Sequence, residues 1–174
     1  SNFFKEILNK VLFGAKKEEI TKEILEFRNS METLNIDKIS KPTGVKKIKK
    51  YTKHTARSGQ IFSVFEKRAT VNVKAAVRYN DLIKFKKLNN KHSYIVEGDK
   101  IRWVYLKPNP YKIDTLGFLS FDIPQEIQDF IEKYVDKPKA FDTILKNKLE
   151  SFYKDLNWGN LNLNPTVAKF FTFK

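Results

Sequence analysis

The side chains of this sequence best placed to do chemistry are cations. Between Lys38 and Lys91 stand sixteen Lys and Arg residues against two acids, Glu66 and Asp81. The chain carries a formal charge of +14, so the other 120 of its 174 residues are neutral, with eighteen cations and eighteen acids. No acid occurs from Lys38 to Phe65. Crowding like charges costs self-repulsion, which a polyanion relieves through neutralisation and counterion release. Lys46, Lys49, Lys50 and Lys53 recur at i, i+3, i+4 and i+7, the spacing of one helix face. Like charges so placed destabilise an isolated helix by roughly 0.2–0.5 kcal/mol per pair, and a phosphate backbone reverses the sign. The plain alternative is a solvated Lys-rich face in an AT-rich genome. Nucleic acid is the expected partner.

Catalytic groupings are thin. Cysteine is absent, which removes disulfide scaffolds, thiolate zinc sites, iron–sulfur clusters and thiol nucleophiles. His54 and His92 are isolated and out of metal-ligand spacing, so surface or loop polarity is their expected role. Gly44 lacks the Gly-rich neighbours of a phosphate-cradling loop. Asp37, Asp81, Asp99 and Asp114 are each single, with no carboxylate pair of the kind that binds two Mg²⁺. The expectation is a binding module with no catalytic residue and no metal ligand.

Positioning these groups requires a core. Apolar residues make up 41% of the chain, with fifteen Phe and seven Tyr, enough for one ordinary domain or two small lobes. No apolar run approaches the length of a membrane span, and SNFFKEILNKVLFG has acids and no signal-peptide plan. The first residue is Ser, so a segment of something longer is expected.

Residues 3–13 and 16–33 carry helical stripes, Phe3–Ile7–Val11 and Ile20–Ile24–Phe27–Met31, separated by Gly14. Ile36–Ile39 reads as a short extended connector and Lys41–Gly44 as a turn. Thr43 then caps a helix over about 44–53, followed by a loop over 54–66. A helix over about 70–87 turns Val73, Ala76, Val77 and Ile83 inward, with Lys74 and Arg78 on its outer side. Residues 94–97 and 101–106 read as a hairpin around Gly98–Asp99, and Leu116–Phe121 as a third strand. Helices follow to about Tyr134 and from about Ala140 to Leu156, the last burying Phe141, Ile144, Leu145, Leu149 and Phe152. The fold class is α+β: a helical base from the chain's start and its last two helices, with a small antiparallel hairpin or sheet layer between.

Several of these stretches resemble the C-terminal thumb region of the family B DNA polymerases of T-even-type phages. Ala69–Asn80 is similar to that family's thumb helix: Tyr79 matches, Lys74 stands for an Arg, and Asn72 replaces the usual His. Glu97-Gly98-Asp99-Lys100-Ile101 through Asn109-Pro110 resembles its "EGDKI…NP" hairpin. Leu116-Gly117-Phe118, Ile123-Pro124 and Tyr134-Val135-Asp136 follow in order, then Phe141, Leu149 and Leu156-Asn157-Trp158. Val167–Phe173 is similar to the aromatic peptide with which such polymerases hold a sliding clamp. Three features depart: the Pro and the His before the thumb helix, and any acid among the tail's aromatics.

The resemblance implies a thumb-like DNA-binding domain over residues 1–160 and a clamp-binding tail over 161–174. It implies a grip on product duplex by Lys46, Lys49, Lys50, Lys53, Arg68, Lys74 and Arg78, and on the clamp by Phe170, Phe171 and Phe173. The implied partners are primer–template duplex DNA, a sliding clamp and the palm and fingers of the polymerase, in the cytoplasm of an infected bacterial host, with no membrane. The palm's metal-binding aspartates lie upstream of this chain, so Mg²⁺ is expected in the parent palm, no cofactor here, and no synthesis by the chain alone. The alternatives are a free-standing basic module for DNA or RNA, and an assembly protein that meets an acidic partner.

Overall fold

The apolar stripes of the first thirty residues become helices α1 (Asn2–Leu12) and α2 (Lys17–Ser30). A computed structural model of the chain describes residues 2–30 and 36–163. It divides into a helical unit, Ser1–Leu34 with Lys137–Lys174, and a basic unit, Asn35–Asp136, inserted between its two halves. The architecture is α+β, as the sequence predicts.

In the helical unit, α1 ends where Gly14 takes φ +95°. The Gly14 N–H donates to the Val11 carbonyl and the Ala15 N–H to that of Lys10, both at 3.0 Å, a closure that satisfies carbonyls left open at a helix end. The last helical stretch runs as α7 (Lys137–Phe141), a wider π-helical segment (Asp142–Lys146) and α8 (Asn147–Asp155). Ile7, Ile20, Ile24, Phe141, Leu145, Leu149 and Tyr153 form the core. Phe3 stacks on Phe27 at 3.9 Å, and the Tyr153 hydroxyl bonds that of Thr21 at 2.5 Å. Phe152, expected inside, is half-buried. Of Ile144 only its place in the helix is described.

In the basic unit, α5 (Val71–Phe85) buries Val73, Ala75, Ala76, Val77, Tyr79, Leu82 and Ile83. It packs on an antiparallel sheet ordered β1 (Lys41–Gly44), β4 (Lys100–Tyr105), β5 (Thr115–Phe118). Lys41 faces Trp103 across the first pair and Arg102 faces Phe118 across the second. Helix α6 (Gln125–Tyr134) ends beside the sheet, where the Lys107 N–H donates to the Tyr134 carbonyl and the Asp136 N–H to that of Tyr105.

Four expectations are corrected. Ile36–Ile39 is a helical turn, α3, because Ile36 and Ile39 are both buried at i, i+3 spacing. Lys41–Gly44 is β1, an edge strand of the sheet among the described residues, the position in a sheet where a proline such as Pro42 is tolerated. The expected helix over 44–53 shrinks to α4 (Ile48–Tyr51), and β2 (Thr52–His54) follows at once, paired with β3 (Val64–Phe65). Lys47 is left-handed at φ 63°, and buried Val45 is tied to Gly98 and Asp99, so no helix can start earlier. Residues 94–97 form no strand; the Gly98–Asp99 turn docks on Val45, and the neighbours of β4 are β1 and β5.

Candidate nucleic-acid interface

The basic unit holds twenty-one Lys and Arg against eleven Asp and Glu, a net +10, while the helical unit carries +4. Lys46, Lys49, Lys50, Lys53 and Arg68 are all exposed. They do not lie on one helix face. Lys46 precedes α4, Lys49 and Lys50 lie on it, Lys53 sits in β2, and Arg68 in the turn before α5. Tertiary bonds gather these segments instead. The Asn72 amide at the start of α5 donates to the Gly44 carbonyl at 2.9 Å. The Glu66 N–H donates to the Tyr51 carbonyl at 2.8 Å, and Thr52 faces Phe65. Helix α4 also packs on α5. The group therefore collects around the N-terminal part of α5.

Among the described residues none of these five forms an ion pair. A carboxylate beside them, Glu97, accepts the Lys49 backbone N–H at 3.2 Å. Of the two acids within the cationic block, Asp81 is turned inward. Its oxygens accept the Ser63 N–H at 2.8 Å and hydroxyl at 3.0 Å, pinning the 55–63 loop to α5. Burial pushes the Asp81 carboxyl up from its ordinary pKa, against the pull of the two Ser63 bonds and of Lys84.

Arg78 departs from its expected outer position. Its side chain is 15% exposed, and Nη1 donates to Asp114 Oδ1 at 2.7 Å and to Thr115 Oγ1 at 2.6 Å. The guanidinium also lies 5.9 Å from the Phe65 ring centroid, so it joins α5 to β3 and to the start of β5. Burial raises the Asp114 carboxyl, but the Arg78 bond and charge, with Lys74 nearby, outweigh it and hold the group below its ordinary value. Lys74 is half-buried one turn earlier.

A second cluster was not singled out by sequence spacing. Lys84, Lys86, Lys87 and Lys91 lie at and beyond the C-terminal end of α5, roughly 20 Å from its start at 1.5 Å per residue. His92, expected to be isolated, pairs through Nδ1 with Asp122 at 2.7 Å. The Ser93 N–H and this His92 contact hold the Asp122 carboxyl below its ordinary value. The tail residues Phe170, Phe171 and Phe173 lie outside the described residues. Among the described residues no group of His, Asp and Glu could hold a metal ion, and no helix is long and apolar enough to cross a membrane. Compared with known proteins, the chain matches no family model and no curated protein.

Proposed function

We propose that the basic unit grips the phosphate backbone of duplex DNA, in the manner of a polymerase thumb, as part of a phage-type family B DNA polymerase. One observation carries the reading: of the cations from Lys41 to Lys91, only Arg78 is spent on an internal carboxylate among the described residues. Lys46, Lys49, Lys50, Lys53 and Arg68 are left to neutralise an external anion, with half-buried Lys74 beside them. Lysine suits a sliding grip, because a flexible point charge re-pairs with successive phosphates and reads no base. Arg78 braces α5 within this surface.

The spread of cations along α5 fits a rod-like polyanion. Roughly 20 Å of helix matches about six base-pair steps at 3.4 Å each. Within the same reading the aromatic tail, Phe170, Phe171 and Phe173, tethers the chain to a sliding clamp, and catalysis with its Mg²⁺ belongs to a palm outside this chain.

The test is salt-dependent binding to two duplexes of unrelated sequence. With four to six phosphates contacted, log K falls against log salt with a slope on the order of −4 to −5, equally for both sequences. Affinity at physiological salt lies roughly in the micromolar range or weaker. Salt-independent binding, or a strong preference for one sequence, contradicts the proposal.

A further inference from the structure

The segment that follows α5 borders a cavity. A solvent-open cavity of about 670 Å³ is walled by Asn89, Asn90, Lys91, Tyr94, Val96 and Phe121, among others. Phe121 is 84% exposed, Val96 57% and Tyr94 39%. Large apolar groups scattered singly over a surface need no explanation, but two aromatic rings and a valine around one cavity, rimmed by polar groups, mark a binding site.

The wall is built rather than loose. Residues 93–96 have no strand partner; the Asn80 side chain serves as one, donating to the Ile95 carbonyl at 2.8 Å and accepting its N–H at 2.7 Å. One carboxylate, Asp99, lines the cavity and a second, Asp122, holds two of its lining residues; both are engaged. Asp99 accepts the Val96 N–H at 2.9 Å, and Asp122 accepts the Ser93 N–H at 3.0 Å beside its pairing with His92. What remains open to a ligand is aromatic surface, the exposed amides of Asn89 and Asn90, and the cation Lys91.

We propose that this cavity binds unpaired nucleotides of a nucleic-acid strand. Tyr94 and Phe121 offer faces on which bases stack, a contact every base can make. Asn89 and Asn90 carry the paired donors and acceptors that base edges present. Lys91 meets the backbone charge. A double helix keeps its base faces inside the stack and cannot use such a site, so the ligand is a single strand, an overhang or a splayed end. The two rings and the two amides are distinct from the cations assigned to the duplex grip, so variants of the rings separate the two readings.

The experiment measures binding of the full chain to a blunt duplex, the same duplex with a single-stranded extension, and a free oligonucleotide. The extended duplex is expected to bind more tightly than the blunt one. Replacing both rings, Tyr94→Ala with Phe121→Ala, weakens binding of the extended duplex and the oligonucleotide at least about fivefold, the low end for one stacked base. Blunt-duplex affinity stays unchanged. An unaltered melting temperature shows that the variant is folded. Ring-dependent oligonucleotide binding with no duplex binding supports the cavity and overturns the grip. Equal affinity for blunt and extended duplexes overturns the cavity assignment. So does ring-dependent self-association in place of oligonucleotide binding, which reassigns the patch to a protein contact.

Discussion

Gly117 on β5 lies so close to Ala75 on α5 that a Cβ added to it would stand 3.1 Å from both the carbonyl carbon and the carbonyl oxygen of Ala75. The next atom, the Ala76 nitrogen, is 3.2 Å away. All three belong to helix backbone, which cannot rotate aside as a side chain can. Gly117→Ala therefore forces α5 off the sheet by a few tenths of an ångström. The expected cost is about 1–3 kcal/mol, as for other overpacked cores. Thermal or urea denaturation reads it, and an unchanged midpoint would show that α5 and β5 are not seated as described.

The Arg78–Asp114 bond makes an acid-sensitive contribution to stability. The pKa of Asp114 is lowered in the folded state, so its contribution is fully present above the ordinary carboxylate value of 3.8. It is lost as pH falls from there through the folded value. Asp114→Asn, which cannot ionise, is expected to be less stable than the parent near neutrality, with the gap closing on that acid limb. Urea midpoints across a pH series check this; a gap that widens toward acid contradicts it.

Charge reversal tests the grip directly. Lys46→Glu, Lys49→Glu and Lys50→Glu together remove three exposed cations that form no ion pair among the described residues. The triple variant is expected to lose duplex affinity to the same degree for unrelated sequences, with the salt slope shallower by about 3. All three side chains are exposed, and the contact given up is that of Lys50 with the Tyr51 ring, so the melting temperature stays near that of the parent. Fluorescence anisotropy over a salt series gives both quantities, and unchanged affinity argues against these lysines.

Lys87 closes α5 in the left-handed region at φ 56°. Its N–H donates to the Lys84 carbonyl at 3.2 Å, and the Leu88 N–H to that of Ile83 at 2.9 Å. Glycine is the usual residue at this position of a helix end. Lys87→Gly is expected to stabilise the fold by about 0.5–1 kcal/mol, because a side chain in this conformation is strained by roughly 1–2 kcal/mol and glycine returns part of that as unfolded-state entropy. A denaturation midpoint that falls on substitution would refute the strain argument.

Elements whose sequences carry their own reason to form were legible. The apolar spacing of Ile7, Ile20 and Ile24, and of Val73, Ala76, Val77 and Ile83, placed α1, α2 and α5 within a few residues, and Gly14 marked a true helix end. What misled was local pattern without an apolar anchor. Lys46, Lys49, Lys50 and Lys53 have helical spacing, yet Val45 is the one residue of that stretch that is fully buried, and its backbone is bound to the Gly98–Asp99 turn. The strand at Lys41–Gly44 exists because β4 supplies its partner sixty residues later, a non-local bond that no window of neighbours reveals. The cationic block was visible by counting. That Arg78 would leave it for Asp114 depended on packing.

Chain order imposes a timetable on folding. The basic unit is complete once residue 136 has been synthesised, while α1 and α2 wait for residues 137 onward to supply Phe141, Leu145, Leu149 and Tyr153. On a ribosome adding about 5–20 residues per second, the two early helices spend several seconds with their apolar stripes uncovered. Nascent chains stalled between α6 and α7 are therefore the species most in need of a chaperone.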